Sequence, residues 1–132
     1  MTAVLRFRVE KLIRDRLPEI MRGQGLVVFD RRLQDGEFAA ALRAKLVEEA
    51  AEAVAASADD LAGELVDVLE VLQALAAVSG LTMDQVEAAR LAKRAERGGF
   101  DGRVYNAAVE GPADGPAVAY YLARPDQYPQ VR

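Results

Sequence analysis

The sequence predicts a mainly α-helical, antiparallel bundle with short extended arms at its N- and C-terminal ends. Three observations carry that expectation. Apolar residues recur at helical spacing through three consecutive segments, about 37–56, 60–78 and 82–97. Each segment is bounded by residues that start or stop helices. Extended stretches are expected only outside these segments.

The elements follow in order. Val4-Leu5-Arg6-Phe7-Arg8-Val9 alternates apolar and basic residues and reads as a short extended arm. Pro18 suits a first helical turn, so a short helix is expected from about Leu17 to Arg22, stopped by Gly23 and Gly25. Leu26 to Leu33 reads as a strand or extended connector. After Gln34-Asp35-Gly36, a long helix from about Glu37 to Ala56 aligns Phe38, Ala41, Leu42, Leu46, Ala50 and Ala53. Ser57-Ala58-Asp59-Asp60 breaks the chain and supplies N-cap candidates. A second long helix runs from about Asp60 to Val78 and ends at Ser79-Gly80. Thr82 and Gln85 form a capping box that opens a third helix, to about Arg97. Beyond Gly98-Gly99, Gly111 to Pro116 reads as a loop, Ala117 to Leu122 as a short strand or arm, and the rest as irregular. One domain, 1–132, is expected, with its helical core at about 37–97 and a tail at about 107–132.

At 132 residues and 52% hydrophobic content, the chain can bury an adequate core. It has no cysteine and no histidine. Disulfides, thiol catalysis, the Ser-His-Asp triad and every His- or Cys-ligated metal site are therefore excluded. Metal chemistry is left with oxygen ligands, which favour magnesium, manganese or calcium. Seventeen Lys and Arg against 21 Asp and Glu give a net charge of −4, unlike the basic footprint of a nucleic-acid or anionic-membrane binder. No apolar run is long enough to span a bilayer, and the N-terminus lacks a signal-peptide core, so a cytoplasmic protein is expected.

The carboxylates carry the functional signal. Glu48, Glu49 and Glu52 share an arc of about 100° on the first long helix. A solvated helix face has the same look. The second long helix is different, because nearly every residue from Leu61 to Val78 is apolar except Glu64, Asp67, Glu70 and Gln73 at every third position. So apolar a helix is expected to be buried on several sides. Ionised carboxylates on it then call for a metal or a basic partner. Two helices joined by so short a break pack antiparallel, which brings 49–52 level with 64–67. Four or five carboxylates at one height form an oxygen cage suited to Mg2+, with Mn2+ as a substitute. Such a site positions water and shields a polyphosphate, and Glu48 could accept the proton of the attacking water. The apolar girth of the second helix exceeds what one hairpin covers, which predicts a homodimer or higher homo-oligomer.

In this paired acidic motif the sequence resembles the MazG-like all-α nucleoside triphosphate pyrophosphohydrolases. Three flanking blocks are similar to a subgroup resembling phosphoribosyl-ATP pyrophosphohydrolases: Lys11 to Ile20, Leu65 to Leu72, and Lys93-x-x-x-Arg97-Gly98-Gly99-Phe100. The resemblance covers about residues 10–105. It implies magnesium-dependent cleavage between the α and β phosphates, giving a nucleoside monophosphate and pyrophosphate, in a helical bundle completed by dimerisation. By the same resemblance Glu49, Glu52, Glu64 and Asp67 are the expected metal ligands, with Glu48 as base or neighbouring acceptor. Glu70 could be a further ligand, a ribose acceptor or part of the polar strip. The expected substrate is a non-standard or surplus nucleoside triphosphate; the alternative is phosphoribosyl-ATP. A reading of another class is a non-catalytic helical module whose acids face a basic partner.

A polyphosphate also needs cations away from the metal. Lys93 and Arg97 share a face at the end of the third helix and could equally bind phosphate or pair with the helix dipole and last-turn carbonyls. Lys11, Arg14 and Arg16 could reach phosphate from the N-terminal arm, or Arg14 could form a structural salt bridge. Phe100 and Tyr105 are candidates for base stacking, although a core role is expected first. Tyr120, Tyr121 and Tyr128 are expected to pack the tail against the body or a partner subunit.

Overall fold

Local capping chemistry sets most of the helix boundaries. The computed structural model describes residues 2–132, and its regular structure consists of five α-helices: α1 Leu17–Gly23, α2 Asp35–Ala55, α3 Leu61–Val78, α4 Met83–Arg97 and α5 Pro116–Leu122. The mainly α expectation holds, and no strand occurs among the described residues. The chain divides into two compact units, Met1–Lys93 and Arg94–Arg132.

In the first unit, α1 carries Pro18 in its first turn and ends ahead of Gly25, which turns the chain at φ 87°. The Leu26 amide donates to the Met21 carbonyl at 3.2 Å to close that turn. Residues 26–33 are a connector, the second of the two forms expected for them, because no neighbouring strand exists to pair with. Side chains fix this connector instead: Arg22 Nη2 donates to the Val28 carbonyl at 3.1 Å and to Asp30 Oδ1 at 2.5 Å, and Arg6 stacks 4.4 Å from the Phe29 ring.

α2 starts two residues earlier than expected, with Asp35 in its first turn, where a negative charge suits the helix dipole. Glu37 reaches back to the Gln34 amide at 3.4 Å while Arg31 grips its other oxygen at 2.8 Å. Ser57 and Asp60 hydrogen-bond one another in the link to α3. α2 and α3 pack together, and they are the one helix pair of this unit that does so among the described residues. Phe38 and Leu42 of α2 line the same cavity as Val71 and Ala74 of α3, while Glu49 lies by Glu64 and Asp67. Falling numbers on one helix meet rising numbers on the other, so the pair is antiparallel. Leu42, Val71 and Ala76 are its buried apolar residues.

Gly80 at φ 76° ends α3, and the Leu81 amide donates to the Ala76 carbonyl at 2.9 Å. The capping box then forms as expected: the Thr82 amide donates to Gln85 Oε1 at 2.9 Å and the Gln85 amide to Thr82 Oγ1 at 3.1 Å. The chain bends by 108° between α3 and α4. No residue of α4 is buried, and no single helix of the described residues is long and apolar enough to cross a membrane.

The second unit corrects the expectation of a strand or arm at Ala117 to Leu122. That run is α5, with Gly115 as its N-cap and Pro116 presetting the first turn. Tyr120, Tyr121 and Tyr128 pack on one another, with ring centroids 5.0 to 5.9 Å apart, and Arg124 lies 3.9 Å over Tyr120. They form a small cluster within the tail itself. Phe100 and Tyr105, expected first as core residues, are 97% and 92% exposed.

Candidate metal centre

The inner face of α2 presents Leu42, Lys45, Glu49 and Ala53 at successive turns, and that of α3 presents Glu64, Asp67, Val71 and Ala74. The face is therefore acidic near the α2–α3 link and apolar farther from it. Glu49, Glu64 and Asp67 each place a carboxylate oxygen within 4.8 Å of the others. Three anionic groups this close repel unless a cation neutralises them. Glu49 Oε2 and Glu64 Oε2 are both buried and without a hydrogen-bond partner. Orphaned buried carboxylate oxygens on facing helices are what a divalent cation would satisfy. With no nitrogen or sulfur donor in the set, the trio fits a hard, oxygen-seeking ion such as Mg2+ or Mn2+.

Three cations border the acids. Lys45 Nζ lies 3.3 Å from Glu49 Oε1 and 3.5 Å from Glu48 Oε2. Lys11 Nζ donates to Glu48 Oε1 at 3.0 Å, and Arg14 Nη2 to Asp67 Oδ1 at 2.7 Å. The hydrogen bond from Lys11 holds the Glu48 carboxyl below the usual Glu range, against a smaller opposing effect of burial. Burial raises Glu49 above that range; the Lys45 contact opposes it and repulsion from Glu52 adds to it.

A cavity of about 420 Å³ opens beside the trio. Arg14, Asp15, Arg16, Lys45, Glu49, Asp67 and Glu70 line its polar side, and Phe38, Leu42, Val71 and Ala74 part of its apolar side. Of the residues singled out from sequence, Glu48, Glu49, Glu64, Asp67, Lys11 and Arg14 are thus brought to one place, with Glu70 at the cavity wall. Glu52 is exposed and stands outside the trio. Lys93 and Arg97 are exposed on α4 and enter no ion pair among the described residues. Lys45 was not singled out, although its i,i+3 and i,i+4 spacing to Glu48 and Glu49 signals the pairing.

The profile of the phosphoribosyl-ATP pyrophosphohydrolase family matches residues 8–94, which hold the basic arm and both acidic motifs. The chain belongs to that family. An uncharacterized protein of Mycolicibacterium smegmatis is 50% identical to it over 54 residues, 41% of this chain and 55% of that protein. The chain thus spans a little over half the length of this curated relative. No solved structure matches it.

Proposed function

We propose that this protein is a Mg2+-dependent nucleotide pyrophosphohydrolase that cleaves between the α and β phosphates of a nucleoside triphosphate and releases pyrophosphate. The observation that carries the reading is the pair of orphaned buried carboxylate oxygens, Glu49 Oε2 and Glu64 Oε2, beside Asp67. Bound there, Mg2+ would supply charge shielding for the phosphates and an activated water. Glu49, Glu64 and Asp67 would hold it, and Glu48, kept in place by Lys45, would accept a proton. Glu52 would join as a ligand through a change of side-chain conformation. The cavity offers apolar wall beside Phe38 for a base and cationic groups for phosphate.

The substrate class we favour is a surplus or non-standard nucleoside triphosphate, for which the apolar wall and the cationic groups of the cavity suffice. Phosphoribosyl-ATP is the second reading, supported by the family description. We further infer a homodimer, because Leu65, Val66, Leu69 and Leu72 of α3 remain 41% to 60% exposed. In that reading residues 1–132 act as one functional domain.

The test is pyrophosphate release from a panel of canonical, deoxy and oxidised triphosphates beside phosphoribosyl-ATP. Asp67→Asn and Glu49→Gln are expected to abolish release of pyrophosphate from the best substrate. Wild-type rates in those variants would refute the site. A helical interaction module would instead gain no thermal stability from Mg2+ plus nucleotide.

A further inference from the structure

The three cations bordering the acids are held differently. Lys45 sits on α2 beside its partners, with its side chain only 18% exposed, and is a fixed counter-charge. Lys11 and Arg14 belong to a segment without regular structure and reach the hairpin across 37 and 53 residues of sequence. Their side chains are 53% and 55% exposed, so water competes for both contacts and each is readily reversible. Just before Lys11, Glu10 is held at φ 47°, a left-handed conformation that strains a residue with a long side chain. Strain next to solvent-exposed contacts marks a segment held in place by what it grips.

One of the two carboxylates it grips is also one that a metal would need, and the other stands next to a second. Asp67 Oδ1 accepts from Arg14, and Asp67 is one of the three clustered carboxylates. Glu48 accepts from Lys11 and adjoins Glu49. A divalent cation and a guanidinium repel each other across one carboxylate, whereas a polyphosphate attracts both.

We propose that Lys11 and Arg14 are exchangeable counter-cations: they neutralise Glu48 and Asp67 while the site is free of metal, and are handed to the substrate phosphates once a divalent cation takes over that neutralisation. The inference rests on the metal-dependent reading above. It makes pairing of the arm and binding of metal mutually antagonistic, and binding of metal and phosphate mutually reinforcing. A merely structural ion pair predicts no loss of phosphate affinity, and a simple phosphate ligand predicts no effect on metal alone.

Calorimetric titration of Mn2+, and separately of magnesium tripolyphosphate into the Mg2+-saturated protein, tests this on wild type, Lys11→Gln, Arg14→Gln and Arg14→Lys. Arg14→Gln is expected to bind Mn2+ alone about two- to fivefold more tightly. The same variant is expected to bind magnesium tripolyphosphate about tenfold more weakly, with Arg14→Lys close to wild type in both. In wild-type protein, the Arg14 Nε–H resonance should move on saturation with Mg2+ alone. Unchanged or weaker Mn2+ binding by folded Arg14→Gln, or an Arg14 resonance indifferent to Mg2+, overturns the exchange and leaves the metal site standing. Absence of Mn2+ binding to wild type overturns both.

Discussion

Glu49 is the buried charged residue of the hairpin, 7% exposed, with one oxygen on Lys45 and the other on nothing. Burial raises its pKa, so this carboxyl takes up a proton more readily in the folded than in the unfolded chain. Above that raised value the charge therefore weighs against folding, and protonation relieves it as the pH falls. Glu49→Gln removes the charge and is expected to raise the melting midpoint of metal-free protein by about 2–4 °C. The same change should erase the stabilisation that Mg2+ or Mn2+ gives wild type, which a thermal melt with and without metal reads directly. Stability gained where binding is lost is the usual signature of a functional charge. Metal must also compete with the proton on this carboxyl. Mn2+ affinity is therefore expected to fall on acidification, beginning at a pH above the ordinary Glu range, when followed by calorimetry in steps from pH 7.5 down to 5.

At the scale of elements, a glycine inside α3 and one just past its end make opposite demands. Gly80 adopts φ 76° and lets the last carbonyls of the helix be satisfied by the turn. A side chain there is strained whatever the space around it, so Gly80→Ala is expected to cost about 1 kcal/mol. Gly63 lies inside the helix, and a Cβ added to it meets nothing within 4 Å. Gly63→Ala should therefore stabilise by about 0.5–1 kcal/mol. Urea titration of both variants checks the pair, and a shared sign would refute the account. Features this local were legible in the sequence: Gly25, Gly80 and the Thr82–Gln85 box mark turns and a helix start where the structure has them. The convergence of Glu49 with Glu64 and Asp67 was legible too, because a short link forces two helices antiparallel. Glu52 was harder, since it turns about 60° off the inner line of α2 and meets water. α5 was missed because Ala117 to Leu122 is uniformly apolar or aromatic and shows no period, leaving Pro116 as the only signal. Which acids Lys11 and Arg14 grip could not be read at all, because those pairings close loops of 37 and 53 residues.

For the molecule as a whole, the distribution of apolar surface on α3 argues for a second copy. The helix buries Val71 and Ala76, while Leu65, Val66, Leu69 and Leu72 stay 53%, 60%, 49% and 41% exposed. Leu65, Leu69 and Leu72 follow one another at i+4 and i+3, so they form one stripe along the side of the helix turned away from Glu64 and Asp67. Roughly half of each side chain's burial energy is unrealised, about 3–6 kcal/mol over the four residues. A self-associating helix face recovers that energy in a two-fold interface, where the same stripe serves both subunits. The double variant Leu65→Glu, Leu69→Glu places like charges opposite one another across such an interface. Light scattering is expected to give twice the chain mass for wild type and the single mass for the variant. The wild-type melting midpoint should also rise with protein concentration while that of the variant does not. Because α3 also carries Glu64 and Asp67, loosening it should reduce turnover even though neither substituted leucine touches the carboxylates. A wild-type protein that remains monomeric at micromolar concentration would refute the dimer and leave the metal centre untouched.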